Sequence, residues 1–408
     1  MEYLLKKYYK EDETEYEKEY ERRISSPSKV EINFTINPYR GHGEYQLYFI
    51  PTLKMMELLE NITKNDMDLK AKFENLPPAA QMSYNIDLIT DELFSTNDLE
   101  GVRSSREEVA FSVKVAKDKK SGSKGRFESM AKSYLPIMFD KIENLKLPMN
   151  SKDVREIYEN IAAKEVADDE KIDGEIFRVD GVDVKRNAHT IIHKGIEGHD
   201  KIVIAVEEML KLLNDEERIP PILRVAIAHY IFGYIHPFYD GNGRTSRYIN
   251  SLYLSKSHSR LTAISLSRSI NNNSKNYYEI FNDTNNQFMR GELNMFIEKF
   301  LEYILDGQRI IEDDLLVKNK LISNAKEIIN NDSRLNNDKR LSKYLYVIAQ
   351  MNYFKFADKS TTVKELSEET DSSEQTTRHY LNKLVDLNIL KTEGKRPIYY
   401  SLVDDYFE

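Results

Sequence analysis

The 408-residue chain has no cysteine, so disulfide frameworks, thiolate metal sites and cysteine nucleophiles play no part in it. That absence does not fix the compartment. Positive charge is not in excess either: 59 Lys and Arg stand against 68 Asp and Glu, a net −9. This argues against a general polyanion-binding surface and confines any nucleic-acid role to one module. No apolar run reaches the roughly 18–20 residues of a membrane span, and the first residues, Met1-Glu-Tyr-Leu-Leu-Lys-Lys, lack the apolar stretch of a signal peptide. A cytoplasmic protein with no membrane partner is expected, and the length predicts two or three domains.

What is present is concentrated in residues 236–247, His-Pro-Phe-Tyr-Asp-Gly-Asn-Gly-Arg-Thr-Ser-Arg. The run before it, Ile222 to Ile235, is apolar on nearly every side and predicts a buried helix that starts at Pro220 and Pro221. Helical spacing resumes from Thr245 to Ser255, so the polar segment is a loop whose glycines lie at the second helix's N-terminus. Such an end offers unpaired N–H groups and the positive end of the helix dipole to an anion. Gly241 and Gly243 permit close backbone approach, and Asn242 tolerates left-handed geometry while carrying an amide donor. Arg244 and Arg247, three apart, share a helix face and can grip neighbouring phosphates. Asp240 is placed to hold a hard cation such as Mg²⁺ against them, and His236 is the natural general base. Each piece alone is commonplace, as a helix terminator, a turn or a solvated arginine. Together in one segment they point to a site.

The segment also resembles, at every specified position, the Fic-family signature His-Pro-Phe-x-x-Gly-Asn-Gly-Arg-x-x-Arg. The resemblance implies a mainly α, helical Fic fold with a small β-hairpin flap. It further implies transfer of AMP from ATP to a Ser, Thr or Tyr hydroxyl of a target protein, or of the protein itself. His236 would then deprotonate the hydroxyl, and Asp240 would hold Mg²⁺ or Mn²⁺. Gly241, Asn242 and Gly243 would cradle the α- and β-phosphates, and Arg244 and Arg247 the distal ones. Gly243 separates the chain from the related Doc kinases, which carry lysine there. Gly241 argues more weakly against the phosphocholine-transferring branch, which has alanine. Nothing in the motif selects the base, so UTP and GTP stay open.

The same resemblance reassigns Ser95-Thr-Asn-Asp-Leu-Glu-Gly101. By propensity it is a capped helix end with Gly101 at C′. In the N-terminally inhibited class of the family it matches [Ser/Thr]-x-x-x-Glu-[Gly/Asn], with Thr96, Glu100 and Gly101 in place. Glu100 would pair with Arg247, take the place of the γ-phosphate and leave ATP misaligned. In some members this glutamate also supports removal of AMP. The family flap, which adds the target backbone as a strand, falls by position at Ala188 to Gly198, although Gly195-Ile-Glu-Gly-His replaces the usual proline-rich stretch. Tyr277 and Tyr278 match a tyrosine pair near the family's nucleotide pocket.

Elsewhere, the expected organisation is an N-terminal extension over 1–50, a helical region over 51–150 that includes the inhibitory helix at about 82–100, a Fic core over 151–325, and a C-terminal module over 340–408. Residues 1–29 predict a solvated, frayed helix and 30–52 a hairpin. Lys117 to Arg126 predicts a flexible basic loop. A helix capped by Ser151 follows, then a hairpin across Gly174 to Val184 around Asp180-Gly181. His189, His193 and His199 invite a metal-site reading, but their irregular spacing without a carboxylate set predicts scattered surface histidines instead. One helix is expected from Glu292 to Asp306, a second to about Ala325, and a linker over Asn330 to Lys339. The module resembles a winged helix-turn-helix. DNA binding would require Arg378, His379, Lys383, Lys395 and Arg396 to face phosphates, yet Glu374 and Asp386 share the helix. Docking against a protein stays open beside DNA, as does self-association. The rival to an enzyme is a DNA-binding regulator that senses nucleotide without turnover.

Overall fold

The computed structural model describes all residues except 40, 119–123, 188–189, 216–217, 336–337, 355–359, 404–405 and 408, and gives backbone alone at 185–187 and 190. Helices dominate, joined by three separate two-stranded antiparallel hairpins among the described residues. At the N-terminus, α1 (Leu4–Lys10) and α2 (Glu13–Ile24) are docked, contrary to the expectation of a solvated, frayed helix. Aromatic rings and one arginine supply the buried face that aliphatic spacing does not reveal. Tyr8 stacks on Phe288, Tyr16 donates to the Phe288 carbonyl at 2.7 Å, and Arg23, fully buried, pairs with Glu19 and Glu292. Hairpin β1 (Val30–Ile36) and β2 (Tyr45–Phe49) turns Ile32, Phe34 and Ile36 inward by simple alternation.

The next two helices are long. α3 (Leu53–Glu74) starts where Thr52 Oγ1 accepts from the Met55 amide, and α4 (Pro78–Leu99) starts after Pro77 and ends at Gly101, whose φ of +70° stops the helix. α5 (Arg106–Lys117) and α6 (Glu128–Phe139) pack beside α4. Half of the expected basic loop, 119–123, lies outside the described residues, and Arg126 at its end pairs with Glu165. α7 (Ser151–Ile161) is capped by Asn150, whose Oδ1 accepts from Lys152 and Asp153; Ser151 is the first helical residue and not the cap expected of it.

The hairpin expected across Gly174 to Val184 does not form. Strand β3 (Asp183–Asn187) instead pairs with β4 (Thr190–Lys194), while 174–182 runs irregularly along the motif loop. Phe177 is fully buried edge-on to Phe238, and Asp173 accepts from both Val179 N and Tyr239 Oη. Those ties outweigh the local turn signal. The expected flap span therefore contains β4, while Ala188 and His189 lie outside the described residues.

α8 (His199–Asn214), α9 (Pro221–Ile235) and α10 (Asn242–Ser257) form the centre, with α9 apolar and buried on almost every side as its sequence requires. α11 (Arg260–Ala263), α12 (Leu266–Asn272) and α13 (Ser274–Thr284) follow. α14 (Asn294–Asn331) is one 38-residue helix where two were expected. Gly307, between the two expected helices, lies inside the one helix and serves close packing: a Cβ there would come within 2.7 Å of the Ser265 carbonyl.

The described part of the expected linker over Asn330 to Lys339 holds the end of α14 and a single 3-10 turn at Ser333–Leu335. α15 (Lys339–Phe354), α16 (Val363–Thr370), α17 (Glu374–Asp386) and the hairpin β5 (Leu390–Glu393)–β6 (Tyr399–Leu402) follow in the expected order around Leu345, Leu366, Leu381 and Leu384. α16 carries a capping box between Thr362 and Glu365. The module sits on α4 and α5: Phe354 lies edge-on to Tyr84, and Lys114 and Lys364 pair with Glu365 and Asp118 at 2.6 and 2.8 Å.

Candidate active site

α9 ends in His236, a non-glycine residue at φ +52°, and α10 begins after Gly241 at φ +82°. These two left-handed residues turn the chain sharply. At Gly241 a Cβ would come within 2.5 Å of the Ala162 side chain, so glycine is required by both conformation and space. Asn242 does not take the left-handed geometry that its sequence position allows. It is the first helical residue, and its amide is consumed in closing the loop: Nδ2 donates to the Phe238 carbonyl at 2.8 Å and Oδ1 accepts from the Phe238 amide at 3.0 Å. What the loop offers an anion is the set of backbone N–H groups in the first turn of α10.

The two arginines share a face of α10 but turn to different partners. Arg244 is buried; Nη2 reaches Asp240 at 3.0 Å, while Nε and Nη1 lack partners. Arg247 is buried against α4: Nε donates to Thr96 Oγ1 at 2.8 Å, and Nη2 to the Thr96 carbonyl at 3.2 Å and to Glu100 Oε1 at 2.8 Å. Gly243 makes this contact possible, because a Cβ there would stand 2.1 Å from Glu100 Oε1. Burial pushes the Glu100 carboxyl up, but Arg247, Arg244 and His236 outweigh it, so the group is held below its ordinary range and stays ionised. The structure thus brings Thr96, Glu100 and Arg247 together.

His236 Nδ1 faces the Gly233 carbonyl at 3.4 Å. Burial above all, then neighbouring His193 and Arg178, pushes the imidazole down to about 4 against weaker opposite pulls from the Gly233 carbonyl and Glu100, which makes it neutral and proton-accepting near pH 7. It lines a cleft of about 680 Å³, open mouth included, with Gly243, Arg247, Glu100, Tyr277 and Tyr278. The two tyrosines differ. Tyr278 is 41% exposed and donates to the Leu99 carbonyl at 3.0 Å, whereas Tyr277 is buried and bonded to His229 Nε2 at 2.6 Å.

His229 is a site residue that sequence reasoning missed, hidden inside the apolar run of α9. Its Nδ1 meets Asn250 Nδ2 and Ser246 Oγ, each at 2.8 Å, so it accepts there and Nε2–H donates to Tyr277. Burial, with Arg247 adding to it, pushes this imidazole down to about 3, and burial pushes His193 down to about 4. His193, His229 and His236 therefore fold neutral. All three folded values lie below the ordinary 6.5, so their stabilising effect is present above pH 6.5 and is lost as pH falls from there towards 4 and 3. The three imidazoles take up three protons on unfolding while the buried Glu92 carboxyl, pushed up to about 7, releases one, so we expect stability to fall by up to about 3 kcal/mol per pH unit across pH 6 to 4. Urea midpoints measured over that range check this, and a flat profile contradicts it.

His193 is buried and not the surface histidine expected, its Nε2 donating to the Tyr234 carbonyl, and Nε2 of His199 accepts from the Ile176 amide. No group of three or more His, Asp or Glu suited to a metal occurs among the described residues. Asp240, partly exposed and bonded to Arg244, suits only a cation that brings most of its ligands with it on a nucleotide. Glu170, unremarked in the sequence, stands near it, its carboxyl raised by burial and by the charge of Asp240.

Residues 148–254 match the model of the Fic/DOC family. Over 54 residues, 13% of this chain, the sequence is 46% identical to protein adenylyltransferase fic-1 of Caenorhabditis elegans, covering 11% of that protein. Over 111 residues, 27% of this chain, it is 29% identical to protein adenylyltransferase Fic of Drosophila virilis, covering 21% of it. The chain thus spans about a tenth to a fifth of the length of these curated relatives. Among solved structures, a Fic family protein from Desulfovibrio desulfuricans aligns with TM-score 0.49 at 17% identity, over 88% of this chain and 99% of that one. Fic-1 from Caenorhabditis elegans aligns with TM-score 0.41 at 17% identity, over 63% and 73% of the two chains. Residues 148–254, with the buried helix, the turn and the arginine-bearing helix that follow one another there, are a Fic domain, matched by the model of the Fic/DOC family.

Proposed function

We propose that the protein is an autoinhibited adenylyltransferase that moves AMP from ATP to a Ser, Thr or Tyr hydroxyl of a target protein. The observation that supports this most directly is that a neutral imidazole, the free first turn of α10 and a buried arginine face one cleft. In the reaction the hydroxyl oxygen bonds to the α-phosphorus, the bond from that phosphorus to the bridging oxygen breaks, and pyrophosphate leaves. His236 takes the hydroxyl proton. If Nδ1–H points to the Gly233 carbonyl, Nε2 is the accepting atom. First-turn amides of α10 and the free Nε and Nη1 of Arg244 meet the phosphate oxygens. Asp240 would hold Mg²⁺ or Mn²⁺ arriving with the nucleotide, which would neutralise phosphate charge. Arg247 serves the γ-phosphate once Glu100 releases it.

The test is labelled AMP from α-labelled ATP in cell lysate with Glu100→Gly, in Mg²⁺ or Mn²⁺, with the modified band identified by mass spectrometry. Competition with unlabelled UTP and GTP reports base preference. Absence of labelled protein under both metals overturns the reading. A second reading, a DNA-binding regulator, is favoured by the exposure of Arg378 and His379 on α17 and of Lys395 and Arg396 between β5 and β6. Lys383 is less available, being paired with Asp338. A promoter-DNA shift assay over a salt series checks it, with binding that ignores salt counting against phosphate contacts.

A further inference from the structure

We propose that Arg178 is a positioning residue for His236, its buried guanidinium gripping the carbonyls at the end of α9 and at the root of the β3–β4 hairpin so that the imidazole is held over the cleft. The proposal deepens the adenylyltransferase reading and rests on it for its consequence in turnover.

Arg178 is fully buried, and none of the described carboxylates pairs with it. Asp173 and Glu197 act on it only at longer range. A buried charge in that condition is costly unless its donors are satisfied, and here every acceptor is a main-chain carbonyl. Nε donates to His236 O at 2.8 Å, Nη2 to Ile196 O at 2.7 Å and Ile235 O at 3.3 Å, and Nη1 to Asp180 O. Two of the four belong to the negative end of α9, which favours a cation. The backbone repeats the tie, with Arg178 N donating to Pro237 O and Ile196 N to Ile235 O.

This grip falls on the residue that needs it. His236 sits at φ +52°, where a side chain other than glycine persists only if its surroundings impose it. Gly195 leaves room for the clamp: a Cβ there would stand 2.5 Å from Arg178 Nη2 and 3.0 Å from His236 Cβ. The charged or titratable groups around the imidazole are His193 from β4, Arg178 from the 174–182 segment and Glu100 from the end of α4. The cation of Arg178 thus also helps to keep His236 neutral.

The full chain is tested in two ways. In a Glu100→Gly background, Arg178→Met is expected to lower kcat about a hundredfold with KM for ATP within about twofold, the cost of a slightly misplaced base. Arg178→Lys is expected to recover part of that loss, because its ammonium can still reach some of the carbonyls. Independently of turnover, the ring Cε1–H signal of His236 in ¹³C-histidine-labelled protein, assigned by its loss in His236→Ala, is expected to move in Arg178→Met. Its titration midpoint should rise, while the His229 signal stays. If Arg178→Met does not fold, Gly195→Ala keeps the charge but displaces the clamp, and should move the same signal and lower kcat alike. A His236 signal unmoved in the folded variants, or equal losses in kcat and ATP binding, overturns the proposal. A moved signal beside no labelling by Glu100→Gly itself overturns the adenylyltransferase reading and leaves the positioning of His236 standing.

Discussion

Replacing His236 with alanine is expected to lower AMP transfer about 10³-fold, within the range for loss of a general base, while ATP affinity changes by less than about twofold. The asymmetry follows from the site. The imidazole neighbours Gly233, His193, Arg178 and Glu100, whereas the phosphate partners proposed above are the first turn of α10, Arg244 and, without Glu100, Arg247. Losing the ring therefore removes a proton acceptor and leaves the nucleotide's partners in place. The background should be Glu100→Gly, so that the uninhibited rate is what falls. His236→Asn serves as a second variant, since asparagine tolerates the left-handed backbone that alanine adopts at greater cost. Two inactive variants with intact ATP binding support the base. A rate within tenfold of the background sinks it, because proton removal would then be done elsewhere.

How much of this was legible in the sequence depended on whether the signal was local. The turn from His236 to Gly241 and the helix after it follow from a histidine-proline pair, two glycines and an apolar run, all adjacent in the chain. The contact between Glu100 and Arg247 spans 147 positions and was reached only through a family pattern, since a glutamate before a glycine is otherwise an ordinary helix end. Features held by distant partners escaped. Arg178 looked like part of a hairpin because Asp180-Gly181 is a strong turn signal, and nothing local shows that its guanidinium reaches carbonyls of the motif loop. His229 was invisible inside an apolar helix whose hydrophobic character suited burial of any residue in it. The docked N-terminus was missed because Tyr8, Tyr16 and Arg23 build its buried face, and their partners Phe288 and Glu292 lie more than 250 positions away.

Removing Glu100 should raise transfer and weaken the fold at once, and the coupling between the two effects is the sharper test. Glu100→Gly deletes one ionised partner of an arginine that is almost wholly buried, a change that typically costs 3–5 kcal/mol when nothing replaces it, on the order of 3 kcal/mol here because Thr96 keeps two contacts with Arg247. ATP supplies a replacement. At about a hundred times its Kd, a ligand adds about 2.7 kcal/mol to the folded state. In the unaltered protein part of that is spent displacing Glu100, so ATP should raise the unfolding midpoint more in Glu100→Gly than in the parent. Transfer should rise about 10- to 100-fold, the span of a coupling of roughly 1–3 kcal/mol. Glu100→Gln should fall between them, since it loses the charge and keeps an oxygen at Arg247. Because the Glu100 carboxyl is held below its ordinary range, its contribution is fully present above that range and is lost only as pH falls through the lowered value. Inhibition should therefore be insensitive to pH from 6 to 8. Equal stabilisation by ATP in parent and Glu100→Gly would mean that glutamate and nucleotide do not compete for Arg247, whatever the change in rate.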